Sequence, residues 1–241
     1  MKQAPALQLE GAARFGTTPV FGPLTLQAAA GRWTCLLGPS GVGKSTILRL
    51  IAGLDQGIEF DGQITASDGQ PVQGRVAMMA QNDLLMPWLD LVGNAMLGAR
   101  LRGETMDRAA ALHVLERVGL AEHVTKKPDS LSGGQRQRVA LARTLMEDRP
   151  VVLLDEPFSA LDARTRALMQ ELAVELLDGR TVLLITHDPA EAARLGHDIR
   201  IMTGDGLEAA ATPQGAVPRA VDDPTVLQTQ AALLSRLREA A

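Results

Sequence analysis

GPSGVGKST, at positions 38–46, decides the fold. It matches G-x-x-x-x-G-K-[ST], it follows the short apolar run TCLLG at 34–38, and it precedes Ile47, Leu48, Leu50 and Ile51, which recur at helical spacing until Gly53. Strand, glycine-rich turn and helix in that order form a phosphate cradle. Gly38, Gly41 and Gly43 let the backbone curl so that successive N–H groups face phosphate oxygens, and the helix N-terminus adds positive potential. Lys44 is then placed to reach the β- and γ-phosphates and Ser45 to hold Mg²⁺, with Pro39, Ser40, Val42 and Thr46 completing the loop.

Working outward, VAMMA at 76–80, VVLLD at 151–155 and VLLIT at 182–186 are further short apolar runs, each ending in a small or polar residue. Runs this short and this apolar read as strands buried on both faces, so the spacing predicts a mostly parallel sheet covered by helices, an α/β fold. Before the loop, LQLEGAARFG and LTLQAAAG alternate and are joined by Gly and Pro, which predicts a small antiparallel β element. Residues 82–147 read as a helical insertion, with Met106, Ala110, Leu112, Leu115 and Val118 marking one helix. After Asp162, Leu168, Leu172 and Leu176 mark another, stopped at Gly179. Residues 207–220 read as a loop, and a C-terminal helix is expected over 224–241 on Val226, Leu227, Leu233, Leu234 and Leu237. A single domain over 1–235 accounts for these elements.

Composition narrows the function. Lys and Arg number 24 against 28 Asp and Glu, a net charge of −4, with no separate basic block, which argues against nucleic acid. Cys35 is the one cysteine, so no intrachain disulfide forms and a reducing, cytosolic compartment is expected. No long apolar window and no apolar leader is present, so any membrane role would pass through another protein.

The run VVLLDEP brings Asp155 and Glu156 to the carboxyl end of a buried strand, where ligands of open α/β sheets bind. Two adjacent carboxylates allow a division of labour in phosphoryl transfer, with Asp155 near Mg²⁺ and Glu156 taking a proton from, or polarising, an attacking water. His187 ends the next apolar run, LLITH, and can reach a γ-phosphate; Gln81 ends VAMMA and offers an amide oxygen near the metal. Together with Lys44, Glu156 and His187 are the catalytic candidates.

LSGGQRQRVALAR at 131–143 resembles the signature motif of the ATP-binding cassette (ABC) ATPase family. The likeness covers nearly the whole chain in order: an aromatic near the start (Phe15), the phosphate loop, Gln81, the signature, VVLLDE, the D-loop SALD with Ser159 and Asp162, and His187. It implies a P-loop NTPase core that binds ATP and Mg²⁺. It also implies a head-to-tail homodimer, in which Ser132, Gly133, Gly134 and Gln135 of one chain close over the ATP held by the other. Phe15 falls about where the family's adenine-stacking aromatic does, and Phe21 is a rival.

LLMPWL, with Leu84, Leu85, Met86, Pro87 and Trp88, is similar to cassettes of the nitrate, sulfonate and taurine importer group, which includes importers of thiamine-precursor pyrimidines. In that group the segment receives a helix of an integral membrane permease, which makes Leu85, Met86 and Trp88 the candidate contacts. The resemblance implies a peripheral protein on the cytoplasmic face of the inner membrane, served indirectly by a periplasmic solute-binding protein. An export or lipoprotein-release cassette, or a soluble ABC ATPase, would share the catalytic motifs.

Overall fold

The computed structural model describes residues 4–239. The N-terminal alternation becomes β1 (Leu7–Phe15) and β2 (Thr18–Ala28), an antiparallel pair. The apolar runs become β3 (Trp33–Leu37), β5 (Val76–Met79), β6 (Val151–Asp155) and β7 (Thr181–Ile185), and α1 (Lys44–Ile51) follows β3. Between them β4 (Glu59–Ala66) joins the other face of β1, again antiparallel. The middle of the chain supplies α2 (Leu91–Ala95), α3 (Leu97–Arg102), α4 (Arg108–Arg117), α5 (Gly133–Leu145) and α6 (Ala163–Leu176). The chain ends with α7 (Pro189–Leu195), β8 (Asp198–Thr203), β9 (Gly206–Ala210) and α8 (Pro224–Glu239). The helix expected over 224–241 is thus seen to Glu239; positions 240–241, and positions 1–3 of the expected domain, lie outside the described residues.

The described residues group into two compact units. One contains the chain up to Met78, Arg149–Asp155 and everything from Asp178 on; the other contains Met79–Asp148 and Glu156–Leu177. In the first, the sheet order is β5-β6-β7-β3-β8-β9, with β6, β7, β3 and β8 mutually parallel where they adjoin. Every residue of β3, β6 and β7 is buried, as double-sided coverage requires. Ile47, Leu48, Leu50 and Ile51 of α1 fill the core between Leu36, Leu153, Leu183 and Ile185 of this sheet and Leu7, Leu9, Leu24 and Leu26 of the β2-β1-β4 sheet.

Several expectations change. Residues 207–210 are not loop: β9 pairs antiparallel with β8, Leu207 opposite Met202 and Ala209 opposite Arg200. Alanine is a weak strand former, and it is the open backbone edge of β8 that recruits it. The helix expected from Met106 begins at Arg108, because the Asp107 carboxylate caps it by accepting from the Ala110 N–H at 2.8 Å. Met106 is left exposed ahead of the cap, and the buried face carries Ala111 and Leu115 while Leu112 turns outward. Leu168 is likewise exposed, with Met169, Leu172 and Ala173 facing the core; in α8 Val226 and Leu233 are buried but Leu227 and Leu234 are not. Apolar spacing located these helices, but neighbouring elements fixed their phase.

The segment after β9 is fastened to α7 by two buried arginines: Arg194 donates from Nε to the Arg219 carbonyl at 2.9 Å, and Arg219 reaches back. Arg219 donates from Nη1 to the carbonyls of Ala193 at 3.0 Å and Gly196 at 2.9 Å, and from Nε to Gln214 at 3.2 Å. The first two are carbonyls at the C-terminal end of α7, where helix geometry supplies no intrahelical donor. Arg219→Ala strands them in the interior, and the expected cost is about 2–4 kcal/mol in urea unfolding, with Arg219→Lys recovering only part.

Candidate functional site

β3, β6 and β7 are parallel neighbours, so what leaves their carboxyl ends leaves one edge of the sheet. From β3 comes the phosphate loop, from β6 Asp155, and from β7 Thr186 and His187. The loop turns at Gly38 (φ 152°), where a Cβ would lie 2.3 Å from the Met202 carbonyl oxygen; only glycine fits. Gly43 is the N-cap of α1, and no side chain caps that helix and no acidic residue stands in its first turn. Its leading N–H groups therefore face the loop with the positive end of the helix dipole unopposed, an arrangement suited to an anion. Lys44 is buried, and its Nζ donates to the carbonyls of Gly38 at 2.8 Å and Pro39 at 2.7 Å, holding the loop curled. Ser40 and Gly41 are exposed at the crest, while Pro39, Val42, Gly43, Ser45 and Thr46 are half-buried. Asp155 is buried and His187 exposed.

The two candidate rings separate. Phe21 belongs to the buried core, whereas Phe15, at the end of β1, is 42% exposed beside Gly57. Phe15 thus has an open ring face and Phe21 has none to offer.

In the other unit, Ser132 is the N-cap of α5 in a reciprocal capping box: its hydroxyl accepts from Gln135 N–H at 3.3 Å, and Gln135 Oε1 accepts from Ser132 N–H at 2.9 Å. A Cβ on Gly134 would meet the Ala160 carbonyl at 3.0 Å, so the signature helix lies against the D-loop backbone, while one on Gly133 would meet only Arg136 at 4.0 Å. Asp162 caps α6, accepting from Thr165 N–H at 3.0 Å, and that backbone contact holds its carboxyl below the usual carboxylate range. Gln81 is exposed in the turn after β5.

Glu156 has φ 50°, a left-handed conformation uncommon for a side chain of its size. Its carbonyl is pinned, accepting from Gln137 Nε2 at 2.9 Å and Ser159 Oγ at 3.1 Å, while Gln137 Oε1 accepts from Ala160 N–H at 2.8 Å. Gln137 is buried on α5 between signature and D-loop, and three hydrogen bonds converge on its amide, the third from Nε2 to Ser159 Oγ at 3.1 Å.

The LLMPWL segment divides. Trp88 is 67% and Leu84 57% exposed, but Leu85 is buried and Met86 half-buried, so the outward pair is Leu84 and Trp88 and Leu85 serves the core. The segment is held from behind: Asn94 Oδ1 accepts from Met86 N–H at 2.7 Å, and Arg143 donates to the carbonyls of Leu84 at 2.8 Å and Asp83 at 2.7 Å.

Residues 21–159, more than half of the chain, match the ABC transporter family model. The chain belongs to that family. It is an ATP-binding ATPase of the ABC type, as the solved cassettes of the same fold indicate: a dimeric ATP-binding cassette in a post-hydrolysis state, bound to ADP and Pi, is 28% identical with a TM-score of 0.77, over 87% of this chain and 100% of that one. An uncharacterized ABC transporter ATP-binding protein of Haemophilus influenzae is 44% identical over 92% of this chain and 94% of its own. An aliphatic sulfonates import ATP-binding protein of Rhodococcus jostii is 42% identical over 94% of this chain and 91% of its own.

Gln137, Asn94 and Arg143 of this ABC ATPase were not singled out by motif. The available signal was polarity on a buried helix face: Gln137 and Thr144 interrupt the apolar side of α5, and Asn94 that of α2. Gln137→Ala releases the Glu156 carbonyl and the Ala160 N–H, and hydrogen exchange at Ala160 should accelerate by an amount equivalent to about 1–3 kcal/mol while exchange in β3 stays unchanged.

Proposed function

We propose that this chain is the ATP-hydrolysing subunit of a bacterial importer of small oxyanionic solutes of the aliphatic sulfonate class. In this reading its two units form one cassette domain over 1–235, and the chain works as a head-to-tail homodimer on the cytoplasmic face of the membrane, docked on a permease. The observation that carries the import assignment is the 42% identity, over nearly the full length of both chains, to a sulfonate import ATP-binding protein. It favours import over export or a soluble role. No helix among the described residues is long and apolar enough to cross a membrane, so transport would run through permease subunits fed by a periplasmic solute-binding protein.

The site residues take these roles. Lys44 and the N–H groups of 38–46 bind the β- and γ-phosphates, Phe15 stacks on adenine, and Asp155 lies at the sheet edge beside them. Ser45, Gln81 and Asp155 offer hard oxygen donors of the kind Mg²⁺ takes alongside phosphate and water, and an acidic cage is not needed for an ion so held. Bound Mg²⁺ would neutralise charge on the β- and γ-phosphates. Glu156 accepts the proton of a water attacking the γ-phosphorus; as the new P–O bond forms, the β–γ bridge breaks and ADP leaves. His187 donates to the γ-phosphate, while Ser132 and the Gly133–Gly134 N–H groups of the second copy close over it, and Ser159 and Asp162 shape the D-loop between the two sites. Trp88 and Met86 meet the permease, with Leu85 supporting them from the core.

Two measurements test this. Glu156→Gln should bind ATP with unchanged affinity, form a stable dimer on gel filtration with ATP, and turn over at least about a hundredfold slower; normal turnover removes Glu156 from the mechanism. Trp88→Ala should keep its melting temperature and ATP affinity but no longer copurify with a multispan permease from detergent-solubilised membranes. Unchanged recovery would count against that docking surface.

A further inference from the structure

The turn carrying His187 is built around a polar pair that phosphate chemistry does not itself require. Thr186, the residue after β7, is 1% exposed, and Glu191, inside α7, is 4% exposed. The Thr186 hydroxyl donates to Glu191 Oε2 at 2.6 Å and accepts from the N–H of Asp188 at 3.0 Å. That second bond spans His187. On the other side, Thr186 N–H donates to the Leu36 carbonyl at 3.2 Å, at the end of β3 and next to the phosphate loop. The backbone on both sides of His187 is therefore tied down, once to the strand that leads into the loop and once, through a hydroxyl, to a buried carboxylate.

Burying a carboxylate is unfavourable unless hydrogen bonds and geometry compensate. A leucine at 191 would pack into α7 without that penalty but could not accept from the Thr186 hydroxyl. The helix that carries Glu191 is anchored at both ends. Asp188 caps α7, accepting from Ala190 N–H at 2.9 Å, and Arg219 ties the far end of α7 through the Ala193 and Gly196 carbonyls. Glu191 thus presents its oxygen from a helix held at both ends, and the hydroxyl that donates to it closes the turn around His187.

We infer that Thr186 and Glu191 are positioning residues for ATP hydrolysis, fixing the backbone of His187 so that its ring is presented to the γ-phosphate in one geometry. The inference rests on the role proposed for His187. Both side chains are buried, so in this proposal each acts only through the histidine.

The test is steady-state ATPase kinetics on the full-length protein, normalised to ATP-binding stoichiometry so that loss of folded material does not count as loss of rate. Thr186→Val keeps the shape and removes the hydroxyl; kcat should fall roughly tenfold or more while KM for ATP moves less than about twofold, since misplacing a reacting group by about 1 Å is enough for such a loss. Thr186→Ser should restore kcat to within about twofold. Glu191→Gln retains an acceptor oxygen and should stay near wild type where Glu191→Leu does not; this pair carries the same comparison if Thr186→Val fails to fold. In a His187→Ala background Thr186→Val should cause no further loss of kcat. An unchanged kcat in Thr186→Val and Glu191→Leu, or the same fractional loss with and without His187, would overturn the positioning role. Wild-type kcat in His187→Ala alone would instead overturn the role of the histidine, a distinguishable result.

Discussion

A strand buried on both faces can keep polar chemistry only at its ends. In β3, β6 and β7 every side chain is buried, and each runs directly into polar residues: the loop from Gly38, Asp155, and Thr186 with His187. Because these strands are parallel neighbours, their polar ends fall on a single edge. The tightest point on that edge is Gly38, whose missing side chain lets the chain pass the Met202 carbonyl of β8 and start the turn that α1 completes. The candidate site thus follows from the sheet, since burial of the strand bodies leaves the strand ends as the place for a glycine-rich turn, a carboxylate and an imidazole.

That logic explains why this edge was legible in the sequence. The loop, Asp155 and His187 are each read from a covalent neighbourhood, an apolar run followed at once by the chemistry, and the run both predicts the strand and dates its end. The antiparallel pair at the N-terminus was legible for a similar reason, since alternation at period two needs no knowledge of the rest of the chain. β9 was not. Leu207–Ala210 carries no strand signal of its own and becomes one only because β8 presents an unpaired edge. The outward turn of Leu112, Leu168, Leu227 and Leu234 was hidden too, because spacing gives a helix its stripe but the contacts of adjacent elements select which side of a broad stripe is buried.

In the second unit the polar residues do a different job. Gln137 reaches 19 residues along the chain to the Glu156 carbonyl, and Arg143 reaches 59 back to that of Leu84. These are hydrogen bonds from helix side chains to irregular backbone that no ladder satisfies. Their only trace in the sequence is a polar residue where the helical stripe should be apolar. The candidates quoted from the signature, Ser132 to Gln135, lie at the helix start where capping chemistry is readable; Gln137, two residues on, looks like a surface residue until the fold is known.

Asp155 and Glu156 show why such hidden residues matter to the chemistry. In a regular strand, consecutive side chains point to opposite faces. Two acidic residues in succession would therefore be divided by the sheet if the strand simply continued. The left-handed conformation at Glu156 ends that alternation immediately after Asp155. For a non-glycine residue it costs on the order of 1–2 kcal/mol, and such strain persists only where surrounding contacts over-determine it. Glycine at 156 would relieve the strain but would remove the carboxylate. Acid and strained backbone therefore have to occur together, and the hydrogen bonds that Gln137 and Ser159 make to the Glu156 carbonyl are what keep the two compatible.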